Sequence, residues 1–490
     1  MTDTTGPGFA ARVRAAVLWR SGSQIITQII SWCSTLLVIR LLAPEDYGLF
    51  AMAGVVLVLL NTMNGYGLAS ALIREPEVTE ERLRQTLGML ILLNGALGLA
   101  QFIAAPLVAA YFKQPLVADL LRVQSLIYLT VPFSALPHAI LSRKMDFRRP
   151  AQVRLMGAII GAGTALTMAL NGYGVWTLVF APIAMFTAEA IGMMIAARAP
   201  WRPSFRFSGA GHIAGFGGVM TVTQLFWFIQ SQADVMIAGR VLEPHWLGVY
   251  TTSLFLAQLL AAKFVPPINE VAFAAYSRQQ QQGPAPLLAT IRLVLLIALP
   301  AYAGMAAVAP PLVTVLLGEK WQEIAPLLPI LALAMSLMTL QILFSPATNA
   351  LGIPKVAMRI SMLGAIIMPG AFLIGAPFGI SGFAWSWVGG MAVLTCLTIA
   401  YSGRFLGLTL GALTHAISPL IFAAAMMGGV VFLVRGALPQ LPALAELLLL
   451  VPMGAAIYGA VLFAIAPERL IEALRFARNN TGEAESPATS

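Results

Sequence analysis

The chain has 490 residues, 59% of them hydrophobic and 10% charged, with a mean hydropathy of +0.84. Soluble domains carry roughly 25% charged residues, so this composition excludes a water-soluble globular protein and requires lipid as the solvent. The net charge of +9 is spread over many short loops, which argues against a nucleic-acid partner, and the two cysteines, Cys33 and Cys396, sit in apolar runs that give neither a disulfide framework nor a metal site.

Arg12, Arg14 and Arg20 lie in a cytosolic segment, 1–20, ahead of the apolar run 22–42. That run, at roughly 20 residues, can cross a bilayer and reads as a retained first membrane helix rather than a cleaved leader. Further spans are predicted at 47–68, 86–111, 120–141, 153–171 and 175–197, which complete an N-terminal lobe over 21–197. A cytosolic linker, 198–211, begins Arg198-Ala-Pro-Trp-Arg-Pro-Ser-Phe-Arg and resembles an interfacial connector. A C-terminal lobe over 212–401 follows, with spans at 212–238, 246–268, 288–317, 325–350, 357–377 and 379–401. Two last spans, 412–434 and 443–466, fall in 402–466, and nothing in the sequence says what they pack against. The tail, 467–490, reads as a short amphipathic helix to Arg478 and then a small, polar, structureless end. The fold class predicted is all-α, a polytopic membrane protein of about 14 transmembrane helices.

The two lobes are copies. Shifted by 200 residues, Gln24 meets Gln224, Ser31 meets Ser231, Arg40 meets Arg240, Pro44 meets Pro244 and Gly48 meets Gly248. Further on, Gly157-Ala-Ile-Ile recurs at Gly364-Ala-Ile-Ile, and Gly172 matches Gly379. Apolar coincidences are cheap in such a chain, but matched Arg, Gln and Pro are not. Six helices per copy is an even number, so equivalent helices enter from the same side and the repeat is parallel. Most Lys and Arg fall on the side of the N-terminus, whereas Arg40, Lys113, Arg122, Arg240, Lys320 and Arg435 fall on the other. This bias predicts that both termini are cytosolic.

No enzyme motif is present: no P-loop, no zinc-protease helix, no nucleophile elbow and no paired carboxylates in a predicted cavity. His138, His212, His245 and His415 are scattered, so neither a metal nor a cofactor is expected. The first span carries a polar stripe of Ser21, Gln24, Gln28, Ser31 and Thr35, and the seventh carries Thr221, Gln224, Ser231 and Asp234. Such stripes line a hydrated cavity or bond helix to helix; their recurrence at one phase in both copies favours the cavity. Asp234 is an ion- or proton-coupling candidate or half of a structural pair with a cation. Arg40 and Arg240 close the first and seventh spans, where they either hold an anion bidentately or complement a helix C-terminus. Lys263, with Glu270 two turns later, lies deeper, and Arg292 and Arg359 are weaker phosphate-binding candidates. Arg143 to Arg149 form a cationic cytosolic loop suited to anionic lipid. Gly157 and Gly161 suit close helix contact.

Several segments carry a family resemblance. Arg40-Leu-Leu-Ala-Pro-Glu-Asp-Tyr-Gly-Leu-Phe-Ala-Met-Ala, Arg143-Lys-Met-Asp-Phe, Asn171-Gly-Tyr-Gly-Val-Trp-Thr-Leu-Val, Ala233-Asp-Val-Met-Ile-Ala-Gly-Arg, Leu247-Gly-Val-Tyr and Leu317-Gly-Glu-Lys-Trp with Ala325-Pro-Leu-Leu occur in order. They resemble the oligosaccharide flippases of the polysaccharide transporter family, within the multidrug/oligosaccharidyl-lipid/polysaccharide superfamily. The resemblance implies two six-helix lobes forming a V, alternating access, and no covalent chemistry. The implied substrate is a polyprenyl diphosphate-linked oligosaccharide, crossing a bacterial inner membrane for lipopolysaccharide, capsule or exopolysaccharide synthesis. It implies proton or sodium coupling and, as partners, membrane lipids and polysaccharide polymerase or export machinery. A cation-coupled multidrug exporter of the same fold is the alternative, since fold alone does not separate the two. A polymerase or ligase would need a large outer loop with catalytic residues, and the predicted outer loops are short.

Overall fold

The computed structural model describes residues 7–61, 72, 78–206, 218–278, 283–439 and 441–468. Among them the secondary structure is helical, with no strand. Twelve segments among the described residues are long and apolar enough to cross a membrane; three of these, Leu116–Arg143, Leu328–Ala350 and Pro354–Leu406, contain two helices each, and in the last, of 53 residues, both helices are of spanning length. The protein is a multi-pass membrane protein.

The helices are α1 (Pro7–Leu41), α2 (Pro44–Asn61), α3 (Glu80–Phe112), α4 (Leu116–Gln124), α5 (Ile127–Arg143), α6 (Arg148–Leu170), α7 (Trp176–Ala197), α8 (Gly218–Val241) and α9 (Pro244–Arg278). They continue as α10 (Ala285–Ala307), α11 (Ala309–Leu316), α12 (Leu328–Ile342), α13 (Phe344–Ala350), α14 (Pro354–Gly375), α15 (Gly379–Leu406), α16 (Leu410–Ala437) and α17 (Ala443–Ile465). Local chemistry sets many of the ends. Pro44 opens α2, where its missing N–H costs nothing, and Asp46 reaches back to accept from the Ala43 amide at 3.0 Å. Thr79 and Thr409 cap α3 and α16 through their hydroxyls.

Three predicted spans are interrupted. The span 120–141 divides between α4 and α5, 288–317 between α10 and α11, and 325–350 between α12 and α13. Pro310 and Pro346 stand in the first turns of α11 and α13, where a helix can start but not continue. The first helix begins at Pro7, so most of the segment placed ahead of the membrane is itself helical. Of the tail, only 467 and 468 are described.

The chain divides into two compact units: residues 1–228 with 238–248, and residues 229–237 with 249–490. In the first unit α3 packs on α5, α5 on α7, α7 on α6, and α6 on α1. Val38 of α1 and Leu42 just beyond its end meet Ala165, Ala169 and Ala181 in one apolar cluster. Gly157 and Gly161 make the close contact expected of them: a Cβ on Gly161 would stand 2.9 Å from that of Met185, and one on Gly157 would strike Glu189.

The second unit repeats the first three of these steps. Helix α10 packs on α12, α12 on α15, and α15 on α14. The duplication read from the sequence is therefore also a duplication of packing. The two final helices belong to this unit: α16 lies against α10, and α17 lies against α16 and α11. Arg435 ties their connection down, pairing with Glu446 at 3.0 Å and donating to the Ala307 carbonyl at 3.3 Å.

The described part of the linker is docked rather than free. Ser204 donates its amide to the Arg84 carbonyl at 2.8 Å and its hydroxyl to Glu81 at 2.7 Å, while Arg84 donates to the Arg202 carbonyl at 3.2 Å. The approach requires Gly88, since a Cβ there would fall on the Ser204 carbonyl. Trp201 stacks on Phe133 with ring centroids 6.2 Å apart.

Candidate functional site

Helix α8 enters the second unit through its middle turns and carries Asp234 into the interior, where only 1% of the residue is exposed. Burying a carboxylate is costly unless donors meet it. Here the donor is Tyr250 of α9, fully buried, whose hydroxyl gives its proton to Asp234 Oδ2 at 2.9 Å. The same hydroxyl accepts from Trp387 Nε1 of α15 at 2.7 Å. Phe372 and Phe383 close the surroundings, with Phe372 edge-on to Trp387 at 5.6 Å and Phe383 5.8 Å from Tyr250. Asp234 Oδ1 is buried without a hydrogen-bond partner. The result is a relay from Trp387 through Tyr250 to Asp234, joined at the Tyr250 hydroxyl. Of the two readings of Asp234, this bears on the pair with a cation: among the described residues the side chain hydrogen-bonded to it is the neutral Tyr250 hydroxyl.

One helical turn earlier, Gln230 lies against Gly364 of α14, whose absent Cβ makes room for the amide. This glycine belongs to the repeated Gly-Ala-Ile-Ile segment. In the first copy the matching Gly157 serves Glu189 instead.

The matched corner residues meet one another inside the first unit. A Cβ on Gly48 would fall on the Pro244 carbonyl, and a Cβ on Gly248 would fall on the Pro44 carbonyl. Residues equivalent in the repeat thus exchange the same contact twice, as a local two-fold axis requires. Glu45 and His245, also equivalent, approach at 3.3 Å. Beside this corner Gly239 admits the ring of Phe112, and the guanidinium of Arg240 lies 5.8 Å from the centre of the Tyr111 ring.

The other predicted residues are placed as follows. Arg40 is exposed in the last turn of α1, as Arg240 is in the last turn of α8. Gln24 is exposed, Gln28 and Ser31 are half-buried, and the Ser31 hydroxyl donates to the Thr27 carbonyl of its own helix at 2.9 Å. Ser231 is half-buried. Lys263 is exposed on α9. Arg292 is half-buried and donates to the Leu288 carbonyl at 3.3 Å. Arg359 donates to the Tyr401 hydroxyl and lies over the same ring at 5.9 Å. The side chains of Gln224 and Glu270 lie outside the described residues.

Sequence reasoning singled out Asp234 but neither Tyr250 nor Trp387. A signal for Tyr250 was present in Leu247-Gly-Val-Tyr, which stood out as a motif without a role.

Comparison with known proteins gives a consistent picture. The profile of a family described as polysaccharide biosynthesis protein matches residues 37–326. The succinoglycan biosynthesis transport protein ExoT of Rhizobium meliloti (strain 1021) is 26% identical over 394 residues, covering 79% of this chain and 78% of that protein. The lipopolysaccharide biosynthesis protein WzxC of Escherichia coli (strain K12) is 21% identical over 301 residues, covering 60% of each. Among solved structures, the lipid II flippase MurJ in an inward closed conformation superposes with a TM-score of 0.76 at 14% identity, covering 93% of this chain and all 100% of that one. An inward-facing multidrug resistance MATE family transporter gives 0.61 at 17% identity, over 80% of this chain and 98% of that one. At such identities the two structures establish the fold alone.

Proposed function

Because the chain belongs to the polysaccharide biosynthesis protein family, we propose that it is a flippase that moves a polyprenyl diphosphate-linked oligosaccharide across the bacterial inner membrane by alternating access. The family match over residues 37–326 is the observation that carries this reading. It also favours a glycan carrier over a cation-coupled drug exporter, which shares the fold.

The physical task fits the composition. A sugar diphosphate head cannot cross hydrocarbon unaided, because each unpaired charge or hydroxyl costs several kcal/mol there. Its polyprenyl tail can remain in lipid. We assign the head-group contacts to Arg40, Arg240, Lys263, Arg292 and Arg359 for the phosphates, and to Gln24, Gln28, Ser31, Gln224 and Ser231 for hydroxyls. Guanidinium groups bind phosphate oxygens in pairs. Coupling to a proton or sodium gradient falls to Asp234, with its open Oδ1, and to Glu270. Both termini face the cytosol in this reading, and a glycan polymerase takes the product on the far side.

The test is transport by the full chain in vesicles loaded with a labelled lipid-linked oligosaccharide. Lectin added outside should capture the sugar at a rate that scales with the amount of protein. Capture no faster than in protein-free vesicles would overturn the proposal.

A further inference from the structure

The first unit holds a cavity of about 140 Å³ between α2, the α4–α5 break and α7. At its wall is Gln124, the last residue of α4, 1% exposed, with neither Oε1 nor Nε2 hydrogen-bonded. A buried amide left without partners costs about 1–3 kcal/mol, so a polar occupant gains by meeting it. Phe50, Leu178, Pro182 and Phe186 supply apolar wall, and Asn61 adds a second amide. Among the described residues, none that lines it is charged.

Size and chemistry together narrow the occupant. An engineered apolar cavity of roughly 150 Å³ takes one benzene, so this one admits a single six-membered ring. It is smaller than the ~300–1,000 Å³ of a drug-sized pocket. A phosphate or uronate would meet no counter-charge among the described lining residues. A pyranose suits both halves of the lining, since its C–H face packs on the aromatic wall while a hydroxyl or acetamido group meets an amide that both donates and accepts.

We propose that this cavity is a subsite for one uncharged sugar ring of the transported glycan. The assignment rests on the flippase reading for its physiological ligand. It predicts that the pocket selects neutral over acidic sugars at one position of the oligosaccharide.

The experiment is saturation-transfer NMR on the purified full chain, with methyl glucoside and methyl N-acetylglucosaminide as probes and methyl glucuronide as the charged comparator. The neutral glycosides should receive saturation and the glucuronide should not. Gln124→Leu should bind about tenfold more weakly, for the loss of one amide's hydrogen bonds. Its thermal midpoint should not fall, because it removes an unpaired group. Leu178→Trp, which fills the space and leaves Gln124 in place, should also abolish the signal, so the proposal does not depend on one variant folding. No transfer to either neutral glycoside, as for a cavity that holds water only, would overturn it, and so would equal transfer in wild type and both variants. Vesicle transport separates this from the flippase reading: transport without glycoside binding removes the subsite alone, whereas glycoside binding without transport keeps a cavity for a neutral sugar and removes the flippase reading together with the transported glycan as its ligand.

Discussion

Replacing Tyr250 by Phe is expected to weaken the second unit, and the size of the effect follows from one hydroxyl. That group closes two interhelical bonds, to Asp234 Oδ2 at 2.9 Å and from Trp387 Nε1 at 2.7 Å. Water-soluble proteins lose about 1–3 kcal/mol for each buried group left unpaired. In a membrane the separated helices find other partners, and an interhelical bond is worth only about 0.6–1.7 kcal/mol. Two such bonds put the loss at about 1–3 kcal/mol. Unfolding in mixed micelles with rising denaturant would read it. Trp387→Phe removes only the second bond and should cost roughly half as much. The double variant should fall short of the sum, because the Tyr–Trp bond is then counted twice. A Tyr250→Phe protein within about 0.5 kcal/mol of wild type, or strictly additive losses, would refute the relay as a cooperative unit.

Further outcomes follow from other contacts. Gly248→Ala would drive a Cβ into the Pro44 carbonyl and should destabilise by about 1–3 kcal/mol, whereas Gly54→Ala in the neighbouring α2 meets nothing within 4 Å and should be neutral or mildly stabilising; equal denaturation midpoints for the two would remove the corner contact. Arg40→Ala with Arg240→Ala should lower surface polysaccharide while the protein stays inserted, and normal polysaccharide at normal protein level would take both residues out of the head-group path. Asp234→Asn should change how vesicle transport depends on the proton or sodium gradient; unchanged dependence would return the residue to a structural role. Ser204→Ala removes the bond to Glu81, worth about 0.5–1.5 kcal/mol, and should speed tryptic cleavage at Arg206, with unaltered cleavage counting against a docked linker.

The sequence by itself determined that this protein lives in a bilayer, that it is built from two parallel copies, and which residues of the copies correspond. Those properties are written in composition, in run length and in matched polar residues, all of which are local. It also marked Asp234 as costly, since a carboxylate in an apolar run needs an answer wherever it lies. It did not determine the answer. Tyr250 and Trp387 stand 16 and 137 residues along the chain from their respective partners. The same is true of the corner contact: Pro44 and Gly248 were visible as repeated residues, yet only the packing of α2 against the start of α9 shows that the repeats touch there. The breaks that split three spans, and the unpaired Gln124 beside one of them, were likewise hidden. The physical reason is that a membrane helix is apolar on nearly every side, so hydrophobic periodicity does not say which face turns inward. Rotation is decided by small residues, by the few polar groups that need partners and by the fit of neighbouring helices, and those exist only once the helices have packed.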